Sequence, residues 1–216
     1  MSLLEIRRQP VQARSAKTFN HILDTAIVVL EETGWEGFST NLLAERAGIG
    51  IQTLYRYFPN KLSVVATLAR RLIDEWDSWF EGLEVGLLGP GSSREGSSGH
   101  SRIEFFLERL KNQPGGVVIR QAMAASPALR ELDREDNRRL AEQFAANLVS
   151  LDSRVNYEDA VLSNLVSIEA ALAVIDLTYQ LPATEADRLI GLCVEMQNAF
   201  MASRFPFLAN VSKEKS

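Results

Sequence analysis

The sequence predicts an all-α fold in two parts, a small basic head and a larger acidic body. Three observations carry that expectation. Apolar residues recur at helical spacing through most of the 216-residue chain, no stretch keeps the period-two alternation of a strand, and charge divides unevenly. Residues 1–71 hold nine Lys and Arg against six Asp and Glu, whereas the remainder holds fourteen against twenty-two. A basic segment joined to an acidic one suits a module that meets an anionic partner, carried on a body with another task.

Composition narrows the classes further. Hydrophobic residues make up 46% and charged residues 24%, the balance of a folded chain with ample apolar surface for a core. A single cysteine, Cys193, excludes an internal disulfide framework. The N-terminus is charged and polar where a signal peptide would be apolar, and no unbroken run of about 18 apolar residues stands out. A cytoplasmic protein without a membrane span is therefore expected. The two histidines, His21 and His100, and the lone cysteine offer no zinc spacing. Gly48-Ile49-Gly50 lacks the preceding strand and the third glycine of a dinucleotide fingerprint. With no P-loop and no nucleophile elbow either, no catalytic residue, metal or cofactor is expected, and the chain is not read as an enzyme.

In the head, Arg7, Arg8, Arg14 and Lys17 form a basic arm with no acid among them, within residues 1–17. Phe19, Ile22, Leu23, Ala26, Ile27 and Leu30 then follow the spacing of an amphipathic helix over residues 18–33, ended by Gly34. His21 lies between these packing positions and reads as a surface neighbour. Ser39 or Thr40 can cap a second helix with Leu42, Leu43 and Ala47 on one side, closed by Gly48. Ile49 serves as a pivot, Gly50 opens a third helix, and Pro59 ends it. Asn60 can cap a long fourth helix reaching to about residue 85.

The short third helix poses the functional question. At 100° per residue, Ile51, Leu54, Tyr55 and Phe58 share one face, suited to packing, and Gln52, Thr53, Arg56 and Tyr57 share the other. An amide that can bond an adenine edge, a guanidinium for guanine or phosphate, a methyl for thymine and a phenol make a surface built to be covered by nucleic acid. Helix, glycine turn, helix over residues 40–58 is the arrangement that offers a second helix to a DNA major groove.

Residues 39–61, STNLLAERAGIGIQTLYRYFPNK, resemble the DNA-binding signature of the tetracycline-repressor (TetR) family. Residues 22–38, ILDTAIVVLEETGWEGF, resemble that family's first helix and turn, so the resemblance covers about residues 14–70. It implies a DNA-binding domain over residues 1–62 and a helical effector-binding and dimerisation domain over residues 63–216. By position, Thr40 and Asn41 would meet the DNA backbone, and Ile51, Gln52 and Thr53 would reach base edges. Arg56 would take bases or phosphate, Tyr55 and Tyr57 phosphates, and Lys61 a further phosphate as a point charge. The arm gains a use along the minor groove. Gly50 departs from the pattern, since many members carry a capping serine there.

The body begins with a linker by composition, GPGSSREGSSGH at residues 89–100. Helices are expected at about 101–112, 116–126, 131–152, 157–181 and 184–204, broken at Pro114-Gly115-Gly116, Pro127 and Pro182. The last two are the most apolar, and the first of them is apolar on more than one face, which calls for two sets of neighbours. A second copy of the chain could supply one set, with Leu165, Leu172, Ile175, Leu189, Cys193, Met196 and Phe200 at the interface. Filling of the chain's own core is the alternative. The resemblance favours the homodimer and a palindromic operator in double-stranded DNA.

It also implies an unidentified small-molecule effector among the central helices. Trp76, Trp79, Phe80, Phe105, Phe106, Met123 and Phe144 are the aromatic and thioether candidates, with plain core as the alternative, and Glu169 and Asp176 the polar ones, with a wet edge of the dimer as the alternative. The function expected is a DNA-binding transcriptional regulator, a repressor released from its operator by the effector. The rival reading is a helical small-molecule-binding protein or enzyme with a vestigial head.

Overall fold

The computed structural model describes residues 3–81 and 102–208, with the side chains of 77–81 and 102 left aside. The expected linker at 89–100, the end of the fourth helix near residue 85, and the side chains of Trp79 and Phe80 lie outside the described residues. Within them the chain is helical without strands, in keeping with the all-α expectation. The helices are α1 (Ala13–Gly37), α2 (Thr40–Arg46), α3 (Ile51–Tyr57), α4 (Lys61–Glu81) and α5 (Arg102–Asn112), followed by α6 (Gly116–Ala125), α7 (Pro127–Leu151), α8 (Tyr157–Thr178) and α9 (Ala183–Arg204).

Local chemistry accounts for most boundaries. Gly34 takes φ +64° and breaks α1 internally, as its sequence position suggested. Ser39 caps α2 by accepting from the Leu42 N–H at 3.2 Å. Gly48 takes φ +63°, its N–H donating to Glu45 O while Ile49 N–H donates to Ala44 O, both at 3.0 Å. That pair of bonds is the Schellman closure of α2. Asn60 caps α4 by accepting from Ser63 N–H at 2.8 Å. Two boundaries differ from expectation. α1 starts at Ala13, so Arg14 and Lys17 stand on a helix and not on an arm. There the Ser15 hydroxyl accepts from the Gln12 N–H and donates to the Gln12 carbonyl, closing the first turn. α7 starts at Pro127 and not near residue 131, because proline at the first helical position loses no hydrogen bond.

The chain divides into two compact units, residues 1–76 with 110–134, and residues 77–109 with 135–216. The boundary expected at residue 62 thus falls inside the first unit, and the segment containing α6 joins the head. α6 packs on α1, where Gly115 (φ +70°) comes so close that a Cβ there would meet Ile27 Cγ2 at 2.6 Å. This unit's core is built on Ile22, Leu23, Ala26, Leu43, Leu54 and Phe58, all fully buried. It also encloses an ion pair, Arg120 Nη1 donating to Asp133 at 2.6 Å, a direct contact that offsets part of the cost of burying the two groups.

In the second unit α8 lies along α9, and Ala145 and Leu148 of α7 complete a cluster with Val161, Met201 and Phe205. α8 is long and apolar enough to cross a membrane by length and composition, with mean hydropathy 1.8. No such segment was expected from unbroken apolar runs, because Ser163, Asn164 and Ser167 interrupt it; all three are buried against the chain itself.

Candidate nucleic-acid interface

The HTH, α2 to α3, is positioned by the core beneath it. α3 is seven residues long and turns Leu54 fully inward. Gln52 and Arg56 are exposed, and Ile51, Thr53 and Tyr55 are half-buried around them. On α2, Asn41 is exposed and Thr40 half-buried. The Thr40 and Tyr55 hydroxyls lie 3.1 Å apart, joining the two helices at their outer surface. The His21 ring Nε2 lies 3.0 Å from the Ala47 carbonyl, so this residue ties α1 to the end of α2 and is more than a surface neighbour.

Tyr57 corrects the helical-wheel expectation. It is only 4% exposed, its ring edge-on to Phe19 at 5.7 Å, and so belongs to the core and not to the outer face. Phe19 also stacks on Phe58 at 4.9 Å. The wheel assigns faces from α3 alone, whereas the start of α1 covers the last turn of α3 from a second side. What remains of Tyr57 for a ligand is the edge that borders a cavity of 710 Å³, described below.

Lys61 stands where the resemblance places it, at the start of α4, but its ammonium is engaged. It lies 4.1 Å from the Trp35 ring centroid and donates to the Trp35 carbonyl at 3.3 Å. A cation over an indole retains its charge and its remaining donors, so it can face a phosphate while being held in place.

The N-terminal segment is docked. Arg7 N–H donates to Tyr57 O at 2.8 Å, and the Arg7 guanidinium donates to Tyr55 O at 3.3 Å. Beyond it, the 710 Å³ cavity opens between the segment, α1 and α3, lined by Arg8, Arg14, Thr18, Thr53 and Arg56 among others. Three arginines and two threonines thus border one concave surface, side chains of the kind that donate to a phosphodiester, and the Thr18 hydroxyl also donates to the Arg14 carbonyl at 3.2 Å. The sequence marked each arginine but gave no sign that the arm folds back beside α3. Lys17 is exposed on α1.

The candidate interface on the last two helices needs revision. Leu172, Ile175 and Cys193 are buried within the chain, and Leu165, Leu189 and Phe200 are half-buried. Met196 is exposed, and it shares that condition with Leu162, Val166, Leu177 and Leu192. Of the expected set, then, Met196 alone is exposed, and the other exposed apolar residues of these helices lie outside that set. On an all-round apolar helix the sequence cannot say which stripe faces inward.

The effector candidates are distributed. Trp76 and Met123 are buried in the first unit, and Phe106 and Phe144 in the second. Phe105, half-buried, carries the Arg109 guanidinium 5.2 Å from its ring centroid. Glu169 accepts from Asn137 Nδ2 at 3.0 Å, and Asp176 is half-buried on the same helix.

Comparison with known proteins places this geometry. Residues 22–68 match the family model for bacterial regulatory proteins of the tetR family. The chain is 26% identical over 110 residues to the HTH-type transcriptional repressor KstR of Mycolicibacterium smegmatis, covering 51% of this chain and 45% of that protein. It is 32% identical over 73 residues to the tetracycline repressor protein class C of Escherichia coli, covering 28% of this chain and 33% of the repressor. The matched segments span less than half the length of these relatives. A TetR-family transcriptional regulator from Streptomyces coelicolor superposes with a TM-score of 0.53 at 23% identity, over 88% of this chain and 98% of that one, and so shares the fold.

Proposed function

We propose that this chain, whose residues 22–68 match the family model for bacterial regulatory proteins of the tetR family, is a homodimeric transcriptional repressor, released from a palindromic operator by a small-molecule effector. One observation carries the reading. α3 exposes Gln52 and Arg56 on a helix whose other side is fully packed, beside a cavity that adds Arg8 and Arg14. A surface that had only to stay wet has little use for so many amide and guanidinium donors gathered at one helix.

Leu162, Val166, Leu177, Leu192 and Met196, all exposed on the last two helices, support self-association, since large apolar side chains left open on a folded chain suit an interface. A two-fold pair would present two α3 helices to half-sites about one helical turn apart or slightly more. Effector control needs only a modest coupling, since roughly 1–3 kcal/mol shifts operator affinity about 5–150-fold.

The test is selection of bound fragments from random duplexes by the purified protein at two salt concentrations. An enriched palindrome whose binding weakens steeply with salt is the expected result. Weak binding without sequence preference would overturn the reading and leave the head idle.

A further inference from the structure

We propose that residues 3–7 form a strap that closes the C-terminal end of α3, with Arg7 as its positioning residue. The consequence for DNA rests on the regulator reading above; the strap itself does not. α3 has seven residues, a length at which a helix has little stability of its own. The last carbonyls of a helix have no partner within it. In α3, Phe58 N–H takes the Leu54 carbonyl at 2.9 Å. Arg7 then takes two more, Tyr57 O with its N–H at 2.8 Å and Tyr55 O with its guanidinium at 3.3 Å. A cation at this end also opposes the negative pole of the helix dipole.

The strap is fastened at its other end as well. Asn60 Nδ2 donates to Leu3 O and Arg70 Nη1 to Leu4 O, each at 3.1 Å. Two anchors on the segment after α3 and two on α3 itself hold five residues across the end of the reading helix. Tyr55 and Arg56 ride on the turn that Arg7 closes. Loosening it would shift the Arg56 guanidinium relative to Gln52 and release the Tyr55 hydroxyl from Thr40. Arg7 therefore sets the geometry of the base-reading face from behind, and does not reach into a minor groove.

Hydrogen exchange in the DNA-free full chain tests this directly. The Arg7→Ala protein should exchange the amides of residues 54–58 roughly tenfold faster, the effect of losing one hydrogen bond from a charged donor. A chain lacking residues 1–8 should exceed that, with the amides of α8 unchanged in both. Unchanged exchange at residues 54–58 in both proteins overturns the proposal, as does equal acceleration in α8, which would mean global loosening. Against the selected operator, Arg7→Ala should weaken binding with its salt slope preserved, while Arg8→Ala lowers the slope by about one. A slope lowered by about one in Arg7→Ala would make it a phosphate ligand and remove its positioning role. If no operator is found, the regulator reading fails while the exchange result stands.

Discussion

The hydroxyl of Tyr55 lies 3.1 Å from that of Thr40 and joins α2 to α3 across fifteen residues of sequence. The contact is part-buried, so each oxygen serves the other before it can serve a phosphate. Tyr55→Phe is expected to lower unfolding stability by about 1 kcal/mol, the net worth of one such bond. Combined with Thr40→Val it should cost less than the sum of the two single changes, read by denaturant unfolding of all four proteins. Strict additivity would mean that the hydroxyls are not coupled.

Arg56 and Tyr57 adjoin in sequence and should respond oppositely. Arg56 is exposed, so Arg56→Ala should leave stability within about 0.5 kcal/mol and cost roughly 1–3 kcal/mol of operator binding. Tyr57 is packed on Phe19, so Tyr57→Ala should destabilise the fold by about 3–5 kcal/mol. A stable Tyr57→Ala protein with a selective DNA defect would contradict this placement.

The two glycines flanking Ile49 have different reasons to be there. Gly48 sits at φ +63° with open space around its missing Cβ, so Gly48→Ala should cost roughly 1–2 kcal/mol from backbone conformation alone. Gly50 sits at φ −65° with equally open space, and Gly50→Ser should add a few tenths of a kcal/mol by capping α3. Thermal unfolding of the two proteins should therefore shift in opposite directions.

Burial raises the pKa of the Cys193 thiol above its ordinary value. In the unfolded chain the thiol ionises near pH 8.5, roughly, so above that pH the unfolded state holds fewer protons than the folded one. Stability should consequently fall as pH rises from there towards the folded-state pKa, and Cys193→Ser should remove that slope. Native protein should also react more slowly with a thiol reagent at pH 8 than the urea-unfolded chain, since the reactive thiolate is scarce and covered. Equal rates would place the thiol at the surface.

Much of the head could be read from the residues. Gly34, Gly48, Ser39 and Asn60 mark helix ends through conformations and caps that depend on immediate neighbours, and each stands where its chemistry demands. Leu54 and Phe58 were assigned to the packed side of α3 by spacing and are fully buried. The misreadings occur where a distant segment decides. Tyr57 is buried because α1 brings Phe19 to it, and the arm is docked because Tyr55, Tyr57, Asn60 and Arg70 converge on it.

The residue sequence by itself determined the all-α class, the helix-turn-helix signature and the chemistry of Gln52 and Arg56. These follow from periodicity, caps and side-chain type, which act over a few residues. Only the tertiary structure decided that Arg7 bonds the last carbonyls of α3, that α6 belongs in one unit with α1, and which apolar residues of α8 and α9 stay exposed. Those outcomes depend on which surface another segment covers, and a chain apolar or basic on several sides leaves that choice to packing.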